Sequence, residues 1–273
     1  SLAMFASGLF SSDPADPLRA DASALARLGA DELGNGFQAG PDNPLVGLEG
    51  RAALMNALGR AVADRADLFG EEEARPGGLF DAVLATAEDG KVNARRILEL
   101  VLDGLGAIWP SRIVRGGVPL GDTWRHGKLV TDDETNGLMP FHKLSQWLTY
   151  ALIEPLLWVD VEVVDLDGLT GLPEYRNGGL FLDLGFLVPK DEAAWTRTWR
   201  AEDEFIVEWR ALTVALLDRV AERMREKLGL DAATLPLAKV LEGGTWAAGR
   251  RVAKEKRPDG GPPLRIESDG TVF

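Results

Sequence analysis

Apolar residues recur at helical spacing through most of this chain and alternate at strand spacing in only a few short places. From Leu48 to Phe69, Leu54, Leu58, Val62 and Leu68 fall near one face and Arg51, Arg60 and Arg65 elsewhere, which predicts an amphipathic helix. Val92 to Trp109 repeats the pattern until Pro110 stops it. The clearest stripe is Ile206, Trp209, Thr213, Leu216, Leu217, Val220 and Met224; it predicts one long helix over 202–228, with Gly229 at C′. Leu235 to Lys256 predicts a weaker helix, loosened by Gly243, Gly244 and Gly249.

Strand signals are sparse. Val159 to Val164 alternates loosely, Leu180 to Val188 suits either a strand or a short buried helix, and the closing LRIESDGTVF predicts a β-hairpin around Ser-Asp-Gly. Loop residues gather at 11–17, 38–44, 74–78 and 116–136, with no internal repeat and no long linker. The expected fold is mainly α with minor β (α+β), as a single helical domain over residues 1–273.

Composition narrows the chemistry. A net charge of −13 argues against duplex nucleic acid as a partner, because that affinity rests on Lys and Arg neutralising phosphates. The chain has no cysteine, so disulfides, a thiol nucleophile and thiolate metal sites are excluded, and a reducing compartment is expected. The longest apolar run, 147–164, is interrupted by Glu154, Pro155, Asp160 and Glu162 and does not suit a bilayer span. No membrane association is expected, and the cytoplasm is the expected location. The opening SLAMFASGLF carries helical spacing without a start signal, which suggests a chain entered mid-element with preceding residues missing.

Four segments concentrate functional groups. In FHKLSQWLTYALIE, 141–154, the helical projection puts Phe141, Leu144, Leu148 and Leu152 on one side and Lys143, Gln146, Trp147, Tyr150 and Glu154 on the other. Aromatics interleaved with a cation, an amide and a carboxylate suit a ligand-lining wall; they equally suit packing under a second layer with a Lys143–Glu154 salt bridge. GLPEYRNGG, 171–179, brackets Glu174, Tyr175, Arg176 and Asn177 with proline and glycines. It reads as a shaped turn, either a surface loop with solvated charges or a functional one. In GGTWAAGRRVAKEKR, 243–257, Arg250 and Arg251 begin a basic cluster that suits a phosphate, or merely the end of a helix dipole. VEWRA adds Glu208 and Arg210 inside an apolar stripe, a pair more often structural.

Other chemistries lack support. His126 and His142 have no partners at zinc-ligand spacing; Asp132, Asp133 and Glu134 could collect a hard cation but read better as a solvated loop or a helix N-terminal cluster; and no P-loop, dinucleotide fingerprint or GxSxG occurs. No metal and no cofactor are expected.

Taken together, PFHKLSQWLTYALIEPL, DGLTGLPEYRNGGLFLDLG, VEWRALTVALLDR, LEGGTWAAGRR and GGPPLRIESDGTVF resemble the uracil catabolism protein 4 family across the whole chain. The resemblance implies a place in a route that converts uracil to its nucleotide, opens the ring and passes through ribosylurea-type intermediates towards urea. In such a route the bond between ribose C1′ and the urea nitrogen must be cut. Over 141–215 the chain is also similar to queuosine salvage proteins, which hydrolyse an N-glycosidic bond and have a helical, DNA-glycosylase-like fold. Pro173-Glu174-Tyr175-Arg176, Lys143-Leu144-Ser145-Gln146 and Glu208-Trp209-Arg210-Ala211 carry that similarity in matching order, with Glu174 where that family has Asp.

The second resemblance implies that Glu174 is the catalytic carboxylate, activating water and stabilising an oxocarbenium-like transition state. Tyr175 and Arg176 would hold the ribose or leaving group beside Asn177, and Lys143 a 5′-phosphate with Arg250 or Arg251. Gln146, Trp147 and Tyr150 would pack on sugar or base, with Glu208, Arg210, His142 and Asp167 in support. The expected partner is a small nucleoside or nucleotide derivative. A non-catalytic nucleotide-binding partner of the ring-opening enzyme is the alternative.

Overall fold

A computed structural model describes residues 2–45 and 47–267 of the chain. Helices dominate, and no strand among the described residues exceeds three residues. The strands pair only in twos, so the α+β expectation holds with helices supplying nearly all of the core. No described helix is long and apolar enough to cross a membrane. Contacts gather the described residues into two units, 2–121 with 151–164 and 122–150 with 165–267.

In the first unit the expected 48–69 helix divides. Leu48–Asp64 ends where Arg65 leaves helical geometry (φ −123°, ψ 63°), and Ala66–Phe69 follows as a short turn. Its buried line is Ala52, Gly59 and Val62, while Leu54 and Leu58 are only half-buried. Small residues win the inner face because the Ala22–Leu25 helix approaches so closely that a Cβ on Gly59 would lie 2.3 Å from the Ala26 nitrogen. Ala94–Leu105 is capped by Asn93, whose side chain accepts from the Arg95 N–H, and buries Ile97, Leu100, Val101 and Leu105. The alternating 159–164 segment does form a strand, Glu162–Val164, paired in parallel with Lys91–Asn93.

The second unit is built on the long helix Glu204–Leu228. Its stripe buries Ile206, Trp209, Thr213 and Leu217 as the periodicity predicts. Phe181, Leu217, Ala221, Leu237, Val240 and Leu241 form one core cluster; Leu182, Ala194, Trp199, Ile206, Trp209 and Leu264 form another. The segment after Leu228 is helical in two pieces, Leu237–Val240 and Ala247–Lys256, joined by a π-helical turn over Leu241–Trp246 where Gly243 and Gly244 lie. Of the expected C-terminal hairpin, Arg265–Glu267 is a strand, but it pairs in parallel with Thr198–Arg200. The turn and second arm, 268–273, lie outside the described residues. Within the 116–136 loop, Thr123–Arg125 forms an antiparallel ladder with Leu138–Pro140.

Candidate functional site

The stretch read as a turn is a helix start. Tyr175–Asp183 is α-helical, and Glu174 is its N-cap in extended geometry. The two carboxylate oxygens each accept one backbone N–H, Arg176 at 2.8 Å and Asn177 at 2.7 Å. These are N–H groups that a helix cannot satisfy internally. Asn177, Gly178 and Gly179 are helical and buried, so the glycines serve close packing. A Cβ on Gly178 would meet Trp209 and the Thr213 hydroxyl at 2.8 Å, and one on Gly249 would meet the Arg176 carbonyl at 2.4 Å. The long helix and the Ala247–Lys256 helix thus close on the first turn behind Glu174.

Burial raises the Glu174 pKa above the usual carboxylate value; the Arg176 and Asn177 N–H groups and the charges of Lys143 and Arg176 offset part of the rise. Lys143, itself buried, therefore stands within electrostatic reach of Glu174. Arg176 lies 4.6 Å from the Tyr175 ring centroid and 5.5 Å from that of Trp246, and Arg250 lies 4.4 Å from the same Trp246 ring. Neither guanidinium forms a salt bridge with a carboxylate among the described residues, so Arg176 and Arg250 together present positive charge at the Trp246 indole.

A buried ion pair fixes this geometry. Arg210 is 1% exposed and donates to both oxygens of Asp122, at 2.9 and 2.8 Å, and to the carbonyl of Pro173 at 3.3 Å. Asp122 also accepts from the Trp124 indole at 2.5 Å and from the Lys143 backbone N–H at 3.0 Å. One carboxylate thereby anchors the helix that carries Lys143 and, through Arg210, the residue before Glu174. Burial pushes the Asp122 carboxyl up, but the charge and hydrogen bonds of Arg210 outweigh it and leave the pKa lowered. Arg210, expected in support beside Glu208, pairs with Asp122 instead. Asp122 itself was missed, since a lone Asp in a polar loop carries no local signal.

The Lys143–Leu157 helix departs from the expected facing. Lys143, Gln146 and Tyr150 turn inward, whereas Trp147 is 54% exposed and Glu154 is exposed. Ser145 and Thr149 are fully buried in place of the leucines, because Thr149 returns its hydroxyl to the Ser145 carbonyl and needs no outside partner. Gln146 accepts the Thr170 N–H at 3.2 Å and the Tyr150 hydroxyl donates to the Thr170 carbonyl at 3.1 Å. Together they clamp the loop leading to Glu174. Asn177 likewise bridges the Leu172 carbonyl and the Thr245 hydroxyl. These three residues position the carboxylate and leave little polar surface for a ligand.

The remaining candidates scatter. Arg251 is exposed with Glu255 at 3.7 Å, and Asp167 pairs with Arg225 at 2.9 Å. His142 sits with φ 46° before the Lys143 helix; burial lowers its pKa, opposed by the charge of Asp122. Glu208 faces His126 and Lys128. The Asp132–Glu134 stretch is an exposed loop in which Asp133 accepts from Thr135, and no metal-holding cluster occurs among the described residues.

A family model described as "Protein of unknown function (DUF1688)" matches residues 1–273. Protein urg3 of Schizosaccharomyces pombe is 41% identical over 277 residues, covering 100% of this chain and 66% of that protein. Uracil catabolism protein 4 of Lachancea kluyveri is 39% identical over 297 residues, covering 99% of this chain and 67% of that protein. The chain spans about two thirds of the length of these curated relatives.

Proposed function

This chain belongs to the DUF1688 family, in which one relative is named a uracil catabolism protein, and on that premise we propose that it serves uracil catabolism as an N-glycosyl hydrolase. The substrate class is a ribosylurea or a related ribosyl 5-phosphate compound. The observation that carries this reading is a half-buried, helix-capping carboxyl, Glu174, with the charges of Lys143 and Arg176 acting on it.

In the reaction, the C1′–N bond breaks and positive charge develops on the ribose, which the fixed Glu174 carboxylate stabilises. Water adds its oxygen to C1′; Glu174 takes the proton released, and that proton passes on to the departing nitrogen, so ribose phosphate and the free urea leave. Arg176 and Arg250, arrayed on Trp246, supply the phosphate contacts, with Arg251 relieved of that role by its outward position. The charge of Lys143 opposes the effect of burial on Glu174. Arg210 and Asp122 hold the two in register, as preorganisation requires.

The test is incubation of this chain, and of a protein of the relatives' full length, with ribosylurea, its 5′-phosphate and UMP, followed by assay of released ribose or ribose phosphate. Release that falls by ~10²–10⁴ in a Glu174→Gln variant is the expected result, the range typical of a positioned general base. Absence of release from all three substrates by folded protein overturns the proposal. A second reading has its own support: both Glu174 oxygens are engaged in capping and Gln146, Tyr150 and Asn177 in clamping the loop. That pattern suits a non-catalytic nucleotide-binding partner of the ring-opening enzyme, for which nucleotide binding without turnover is the signature.

A further inference from the structure

A cavity in the 122–150/165–267 unit has no role in the reaction above. It encloses about 310 Å³, within the range of small-molecule sites, and its apolar wall includes Leu182, Leu187, Ala194, Trp199, Phe205 and Trp209. Both indole N–H groups are already engaged, Trp199 with the Ala194 carbonyl and Trp209 with the Gly178 carbonyl, so the rings offer only apolar surface. Polar groups meet the cavity at Glu208 and Lys128, whose carboxylate and ammonium lie 3.7 Å apart, and at exposed Lys190 and Asp191.

Behind Glu208 stands His126, 8% exposed. Its Nδ1 accepts the Lys128 backbone N–H at 3.2 Å, so the neutral ring carries its proton on Nε2. That atom is buried, has no hydrogen-bond partner among the described residues, and lies 3.7 Å from the Glu208 carboxylate. A buried donor without a partner is destabilising, so a ligand that draws Glu208 inward until it accepts this proton gains from relieving that deficit. Glu204 lies on the other side of the ring, 3.9 Å from Nδ1, and accepts the Gly127 N–H.

We propose that this cavity binds a small, neutral, planar molecule bearing an amide or imide, its N–H donated to Glu208 and its adjacent carbonyl accepting from Lys128. A cationic ligand would bring like charge beside Lys128 and an anionic one beside Glu208. A hydrocarbon would make no use of the polar edge. An adjacent donor and acceptor on one flat molecule match a carboxylate and an ammonium side by side against aromatic walls. His126 is the positioning residue, orienting Glu208 from behind.

The probes are glutarimide and N-methylglutarimide, titrated into the 273-residue chain by calorimetry with indole fluorescence in parallel. Glutarimide should saturate and perturb the fluorescence, while the N-methyl compound, lacking the donor, binds at least about tenfold more weakly, as loss of a hydrogen bond to a charged group implies. Glu208→Gln should weaken glutarimide by about the same factor. Leu212→Trp, at a position on the cavity wall that is 40% exposed, should abolish binding while leaving the melting temperature unchanged. Equal binding of the two imides, wild-type affinity in either variant, or no saturable binding of glutarimide at millimolar concentration overturns the proposal. None of these readouts depends on hydrolase activity, so its failure and the failure of the proposed function are separable.

Discussion

Glu174 and Glu208 are both glutamates beside lysines in the same unit, and they are built in opposite ways. Around Glu174 each carboxylate oxygen accepts a backbone N–H, and the clamping side chains Gln146, Tyr150 and Asn177 are hydrogen-bonded in turn. Around Glu208 the partners stand at 3.7 Å, and the imidazole behind it has an unused buried N–H. The first carboxyl is held before any ligand arrives, at the expense of mobility. The second has the freedom that an adaptable contact needs. Saturated hydrogen bonding marks a group whose position matters, and an unsatisfied buried donor marks one that awaits a partner.

The comparison breaks most readily at Glu174. Glu174→Gln should lower hydrolysis by ~10²–10⁴ while changing stability by only about 1 kcal/mol, since an amide oxygen still caps the helix. Product release and urea midpoints measured on the same preparation separate the two effects. If activity and stability fall together, Glu174 is a cap and nothing more.

Asp122 tests the support beneath it. Asp122→Ala leaves Arg210 buried and uncompensated and should cost about 3–5 kcal/mol, read as a shift in urea midpoint. Replacing both partners with apolar residues should recover much of that loss. A loss under 1 kcal/mol in the single variant would show that the pair does not anchor the site.

The pH dependence carries two opposite signs. Asp122, with its folded pKa below the ordinary 3.8, contributes stability that is present above that value and lost as pH falls through the lowered pKa. Glu174, raised by burial, contributes stability that is present below its unfolded pKa and lost as pH rises through the raised one. Urea midpoints across the acid range should therefore lose their low-pH fall in Asp122→Asn and their loss at higher pH in Glu174→Gln.

Smaller effects sharpen the packing argument. Gly178→Ala should cost ~1–3 kcal/mol, because its methyl would press on Trp209 and Thr213 across the helix contact. Trp147→Ala, on an outward face, should stay within about 0.5 kcal/mol and leave hydrolysis unchanged. A substantial loss of activity in Trp147→Ala would return that residue to the ligand wall on which the helical projection first placed it.

What the amino-acid sequence determined by itself is local and periodic. The stripe Ile206, Trp209, Thr213 and Leu217 names the inner face of the long helix, because burial selects residues at 3.6-residue spacing wherever a helix has one dominant face. The richness of the Glu174 stretch was legible for the same reason, since unusual residue types stand next to one another. The inner face of the Lys143 helix was not legible. It is covered on more than one side, and its buried Ser145 and Thr149 read as polar in any local window. Nor was Asp122 legible, whose partner Arg210 is 88 residues away along the chain. The glycines of 171–179 suggested backbone freedom, and only the neighbouring helices made them points of contact. Periodicity fixes what a segment is; which neighbour covers it, and which charge it meets in the dark of the core, is decided by long-range packing that no short window contains.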